Sequence, residues 1–122
     1  MQAPYTGLIE YLRKSYPDLD TEALGEDLKT RAETFPFDIG HGVSVPDGYA
    51  PQLPGRVCLL GRDKSFGALT FLVLSPHSDS DSHLATLGEI ARMCSISERR
   101  QAILAAEDLS TVVALARDFG HG

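Results

Sequence analysis

The residues with most scope for chemistry lie between positions 38 and 48, in Asp38-Ile-Gly-His-Gly-Val-Ser-Val-Pro-Asp47-Gly48. Gly40, Gly42 and Gly48 permit positive φ and close backbone approach, which anion-binding loops need. No Gly-Lys-Ser/Thr follows, so this is not a Walker loop. It also does not run from a strand into a helix, as a dinucleotide fingerprint would. On spacing alone a structural loop is favoured over a phosphate site. A second set is His77-x-Asp79-x-Asp81-x-His83, whose alternation would bring mixed nitrogen and oxygen ligands to one face of an extended segment. The interleaved serines favour a solvated connector ending in a helix cap, and no metal is expected. Nucleophilic catalysis finds no support. Gly-x-Ser-x-Gly is absent, and Ser44 has only His41 nearby as a base. Cys58 and Cys94 are far apart in sequence and read as two free, buried thiols of a reducing compartment. Arg99-Arg100 reads as a solvated helix face, and His121 as part of a loose end.

The elements that must position these residues follow from periodicity. Leu8, Ile9, Leu12 and Tyr16 define a helix over 7–16, which Pro17 ends. Asp20 or Thr21 caps a second helix carrying Ala23, Leu24, Leu28 and Arg31. Residues 35–55 are rich in proline and glycine and read as a long loop, with one short strand at Val43-Ser44-Val45. Residues 56–60 read as a short strand. Residues 68–75 read as a central strand, apolar on both faces, which requires helices on both sides of the sheet. Pro76 stops it. A third helix starts near Asp81 or Ser82, with Leu84, Leu87, Ile90, Ala91 and Cys94 as its buried stripe. Ser95 and Glu98 form a capping-box pattern for a fourth helix. Asp108 would cap a last one bearing Val112, Val113, Leu115, Ala116 and Phe119. The order predicts an α/β three-layer sandwich with a small mixed sheet flanked by helices.

The chain has 122 residues, 43% of them hydrophobic, with 11 Lys+Arg against 17 Asp+Glu and a formal net charge of −6. This predicts one domain spanning 1–122, with enough apolar residues for a core. The acidic balance excludes a nucleic-acid backbone or an anionic membrane surface as the main partner. No apolar run reaches the roughly 18 residues of a membrane helix, and no signal peptide is evident. A cytoplasmic location is expected.

Four segments in order resemble the type-2 EIIA domain of the sugar phosphotransferase system, the fructose/mannitol and nitrogen-regulatory class. Leu24-x3-Leu28-x2-Arg31 matches a helix that ends in an Arg-Glu pair in that family. Residues 38–48 resemble its Gly-Ile-Gly-(His/Asn)-Gly-(Ile/Val)-Ala-(Ile/Val)-Pro-His-Gly/Ala loop. Phe71-Leu72-Val73-Leu74-Ser75-Pro76 matches a strand, and Ser82-His83-Leu84-x2-Leu87-x2-Ile90-Ala91 a helix. The resemblance spans about residues 8–117. It implies a first strand ahead of the helix over 7–16, which this sequence lacks.

The resemblance also implies a phosphoryl site, and here the sequence departs from it. The family's acceptor histidine is replaced by Asp47, and Ala32 stands where the glutamate after the arginine would be. A carboxylate can form an acyl phosphate, but such sites also use a divalent cation and a lysine, and Lys64 is the nearest lysine beyond the loop. Arg31 and His83 match the family's phosphoryl-binding arginine and second active-site histidine. Arg31 could instead pair with Asp47 or Asp38, and His83 could hydrogen-bond the loop. The implied function is a regulatory or partner-binding domain without phosphocarrier activity, attached to or regulating a membrane transporter. It would need no cofactor and would use Arg31, Gly40, His41, Gly42, Asp47 and His83. Two alternatives stay open: a carrier phosphorylated on Asp47, His41 or His83, and a sensor of a small anion or nucleotide.

Overall fold

The structure, a computed structural model, describes residues 5–76 and 80–107. The helix expected after Asp108, and also His77, Asp79 and His121, lie outside the described residues. Helix α1 spans Thr6–Ser15 and α2 spans Thr21–Thr34. Asp20 caps α2, its side chain accepting from the Ala23 amide at 3.0 Å. This satisfies one of the amides a helix start leaves without a partner.

Three short strands follow: β1 (Asp38–Gly40), β2 (Val43–Ser44) and β3 (Asp47–Tyr49). The segment expected as mainly loop is therefore largely sheet. Short strands broken by Gly and Pro carry too little periodicity to be read as strands. A hairpin of β4 (Val57–Asp63) and β5 (Ala68–Ser75) comes next, then helices α3 (Ser80–Cys94) and α4 (Ser97–Ala105).

The sheet is mixed, with β5 at its centre. β4 pairs with β5 antiparallel, while β2 and β3 both pair with its other edge in parallel. Val43 lies opposite Leu69 and Asp47 opposite Val73, so β2 and β3 keep one register along β5. They form one strand interrupted at Pro46, which supplies no amide but whose carbonyl accepts from the Val73 amide at 3.0 Å. β1 folds back antiparallel onto β2.

Side chains alternate across this sheet. Leu69, Phe71 and Val73 face one layer with Ile90, Met93 and Cys94 of α3 and Ile103 of α4. Leu72 and Leu74 face the other, with Ile9 and Leu12 of α1 and Leu24 and Leu28 of α2. Helices thus cover both faces, which is why β5 reads as apolar on both. Arg62 of β4 ties α4 down by donating to the carbonyls of Ile103 and Ala106 at the end of that helix.

Three local expectations are corrected. Leu84 and Ala91 are exposed, and the buried stripe of α3 is His83, Ile90, Met93 and Cys94 with Leu87 half-buried. The polar His83 takes the inner position because the sheet offers it two partners. Ser95 caps nothing. The residue before α4 is Ile96, without a side-chain cap, and the Ser95 hydroxyl donates to the Arg92 carbonyl at 2.6 Å. Cys94 is buried, but Cys58 is exposed on β4. Burial pushes the Cys94 thiol up to about 11, against a smaller opposing pull from the Arg100 charge.

Candidate functional site

The site lies at the C-terminal ends of the parallel strands. Asp47 and Tyr49 share the face of β3 that looks toward α3, and Ser75 points the same way from the last position of β5. The chain then leaves β5 and re-enters as α3, bringing His83 in its first turn back over Ser75. The His83 ring is buried and bridges two residues. Its Nδ1 lies 2.7 Å from Ser75 Oγ, and its Nε2 lies 3.0 Å from Asp47 Oδ2.

One proton arrangement satisfies every member of this chain. The carboxylate only accepts, so Nε2–H donates to Asp47. Nδ1 then accepts from the Ser75 hydroxyl, and Ser75 Oγ accepts from Arg56 Nε at 3.4 Å. A neutral imidazole fits this pattern, with the guanidinium at one end and the carboxylate at the other. Arg56 also donates to Ser82 Oγ on α3, tying the strand start to the helix start. No buried side-chain nitrogen or oxygen among the described residues lacks a partner.

The Tyr49 ring lies against the His83 ring, centroids 4.7 Å apart and tilted by 31°. On Tyr49 sits Arg31 of α2, its Cζ 5.7 Å from the ring centroid. Arg31 pairs with neither Asp47 nor Asp38. Its partner is Asp27, one helical turn back, at 3.0 Å. Spacing of four residues makes that pair local, and so it competes well against partners the chain must fold to reach. Asp47 is about a quarter exposed, and its hydrogen-bond partner among the described residues is His83.

Of the residues singled out from sequence, Arg31, Asp47 and His83 come together, with Tyr49 between them. Gly40, His41 and Gly42 do not join them. Gly40 ends β1, and His41 and Gly42 form the turn to β2, at the opposite end of the sheet, where Gly42 packs against Gly67 in the β4–β5 turn. Five residues of extended chain separate Gly42 from Asp47, about 16 Å at 3.3 Å each. The turn needs its glycines, since Gly40, His41 and Gly42 all have positive φ, at 92°, 58° and 77°. The Gly40 amide already donates to Asp38 Oδ1 at 2.7 Å, so a side-chain carboxylate holds the place an anion would take. Lys64 lies in the β4–β5 turn, at this same far end. Among the described residues, no three His, Cys, Asp or Glu side chains gather to hold a metal ion.

Sequence reasoning missed Ser75, Tyr49, Arg56 and Asp27. Ser75 left a trace, being the one polar residue closing an apolar strand just before Pro76. Arg56 and Tyr49 left none, because their contacts join segments 18 to 34 residues apart.

Beside Asp47 an open groove of about 740 Å³ runs between the end of α2, the chain leading into β1, and α3. Phe35, Phe37, Ile39, Leu87 and Ala91 line it, together with Arg31 and Asp47. No helix among the described residues is long and apolar enough to cross a membrane.

No known family model matches the sequence, and no curated protein matches it either. Among solved structures, the nitrogen regulatory protein IIA-Ntr from Neisseria meningitidis has a similar fold, with a TM-score of 0.76 and 21% sequence identity. The match covers 95% of this chain and 89% of that one. The architecture is therefore the α/β fold of an EIIA-Ntr-like protein, a mixed curled sheet with helices on both faces.

Proposed function

We propose that this chain is an EIIA-like regulatory, partner-binding domain without phosphocarrier activity, working on or beside a membrane transporter. The observation that carries this reading is Asp47. It stands where the resembling family has its acceptor histidine, and one of its oxygens is engaged by a buried histidine. Phosphoryl transfer to a carboxylate must neutralise the charge that accumulates on the oxygens. Here the nearby Arg31 is paired with Asp27, and Lys64 lies at the far end of the sheet. His83 offers no alternative acceptor, because it is buried and both of its ring nitrogens are engaged. What remains at this end of the molecule is a fixed negative charge beside an apolar groove, which suits docking.

The test is intact mass after incubation with phosphoenolpyruvate and the general phosphocarrier proteins. Neutral to alkaline pH spares a phosphohistidine. No mass gain, with an active family member labelled alongside, is the expected result. Gain of one phosphoryl group overturns the reading. Asp47→Asn then tests the site, since labelling that survives it removes Asp47 as the acceptor and leaves His41 and His83 to be tested in turn.

A further inference from the structure

We infer that the groove beside Asp47 binds a small zwitterion with an apolar body, an aliphatic amino acid or a dipeptide of such residues, with its carboxylate on Arg31 and its ammonium group on Asp47. This goes beyond the partner-binding reading and stands without it. Two observations lead to it.

The first is the pattern of charge. Arg31 and Asp47 line the same groove, yet they do not pair with each other. The Tyr49 ring lies between them. Its centroid is 5.7 Å from Arg31 Cζ and 4.7 Å from that of the His83 ring, and His83 holds Asp47 at 3.0 Å. A simple anion drawn to Arg31 meets repulsion from Asp47, and a simple cation drawn to Asp47 meets repulsion from Arg31. A molecule carrying both signs satisfies both. The Arg92 guanidinium adds positive charge on the α3 side, with Nη1 3.3 Å from where a Cβ on Gly88 would stand. Among the described residues Asp47 is the one carboxylate that lines the groove, so the ammonium end is assigned to it.

The second is that both charges are held in place with bonding capacity to spare. Arg31 gives Nε to Asp27, which does not line the groove. Among the described residues Nη1 and Nη2 have no hydrogen-bond partner, and a guanidinium matches a carboxylate with two parallel bonds. Asp47 uses Oδ2 for His83, and its Oδ1 has no partner among the described residues. Groups already fixed by the fold lose little freedom when a ligand arrives. The rest of the lining receives the apolar body. Phe35 is 75% exposed and Ile39 43%, so a ligand that covers them removes apolar surface from water. A space of about 740 Å³ with mostly apolar walls and a few charged groups has the size and make-up of a small-molecule site.

The probes are free leucine and the dipeptide leucyl-leucine. Each is compared with its N-acetylated form, which lacks the ammonium group, and its C-terminal amide, which lacks the carboxylate. All are titrated into the full chain and followed by amide chemical shifts. At least one of the two zwitterions is expected to saturate and to move the amides of Phe35, Phe37, Asp47, Leu87 and Ala91, and the tighter of the two identifies the source. Its blocked forms should each bind about tenfold more weakly, the worth of one hydrogen bond between charged groups. Asp47→Asn should remove the advantage over the acetylated form alone, and Arg31→Gln the advantage over the amide alone. Arg92→Gln should leave both advantages in place. No saturation by either zwitterion, shifts centred elsewhere, blocked forms that bind as well as the free ones, or advantages indifferent to Asp47→Asn and Arg31→Gln would each overturn the inference. The spectrum of each variant reports whether it is folded, and the blocked ligands test the same two contacts on the unaltered chain. Phosphoryl labelling in the mass experiment removes the non-carrier reading and leaves this result standing.

Discussion

Replacing His83 with alanine should cost this chain about 2–4 kcal/mol of stability. The ring is buried between Ser75 and Asp47. Ser75 is completely buried, so its hydroxyl proton loses its acceptor with no access to bulk water, which costs about 1–3 kcal/mol. Asp47, about a quarter exposed, is rehydrated at little cost. Loss of the ring contact with Tyr49 adds about 0.5–1 kcal/mol, and the space left behind adds more. For a chain of this length the total corresponds to a fall in Tm of about 8–15 °C. The chain has no tryptophan, so urea unfolding is best followed by far-ultraviolet circular dichroism, comparing midpoints at equal slope. Ser75→Ala and the double variant complete the cycle. If the 2.7 Å contact is a true hydrogen bond, the double variant should lose about 1 kcal/mol less than the two singles added together. A His83→Ala cost under about 0.5 kcal/mol, or strict additivity in the cycle, would refute the account of His83 as the hub of this network.

Two further substitutions probe the frame around the site. Gly42→Ala should cost about 1–2 kcal/mol, because φ is 77° and the new Cβ would stand 3.2 Å from the Gly67 carbonyl oxygen. Gly40→Ala, with a similar φ but open space around it, should cost less, and urea midpoints of the pair check that order. Arg62→Met should leave two carbonyls at the end of α4 without their guanidinium. Hydrogen exchange should then quicken in α4 while α1 and α2 keep their protection.

Some of this molecule is legible in its sequence. β5 announces itself by being apolar on both faces, and that alone requires two helical layers. The boundary between the first two helices follows from Pro17 and the Asp20 cap. The middle of the chain is not legible in the same way. β1, β2 and β3 are only two or three residues long; β2 and β3 exist because β5 offers an edge to pair with, and β1 because β2 does, not because of local preference. The α3 stripe holds at Leu87, Ile90 and Cys94 and differs at Leu84 and Ala91, which are exposed while His83 and Met93 are buried, because hydrophobicity alone ranks Leu84 above His83. The choice is made by Ser75 and Asp47, which are remote in sequence. Asp47 and His83 are recognisable one by one from the resemblance. Their union with Ser75 and Arg56 depends on the register of β3 against β5 and on where α3 re-enters, and neither is written in any local pattern.

β5 contributes Leu69, Phe71 and Val73 to one core and Leu72 and Leu74 to the other. Neither helical layer can come away without stripping a face of that strand, so the two layers should melt as one cooperative unit. The amides of β5 should then exchange only through global opening. Ser75 is the last residue of this strand and one wall of the histidine network. The carboxylate at the groove mouth is thus anchored, through one imidazole, to the most protected part of the protein. It meets a partner already in place, so binding there loses little freedom that a looser side chain would have had to give up.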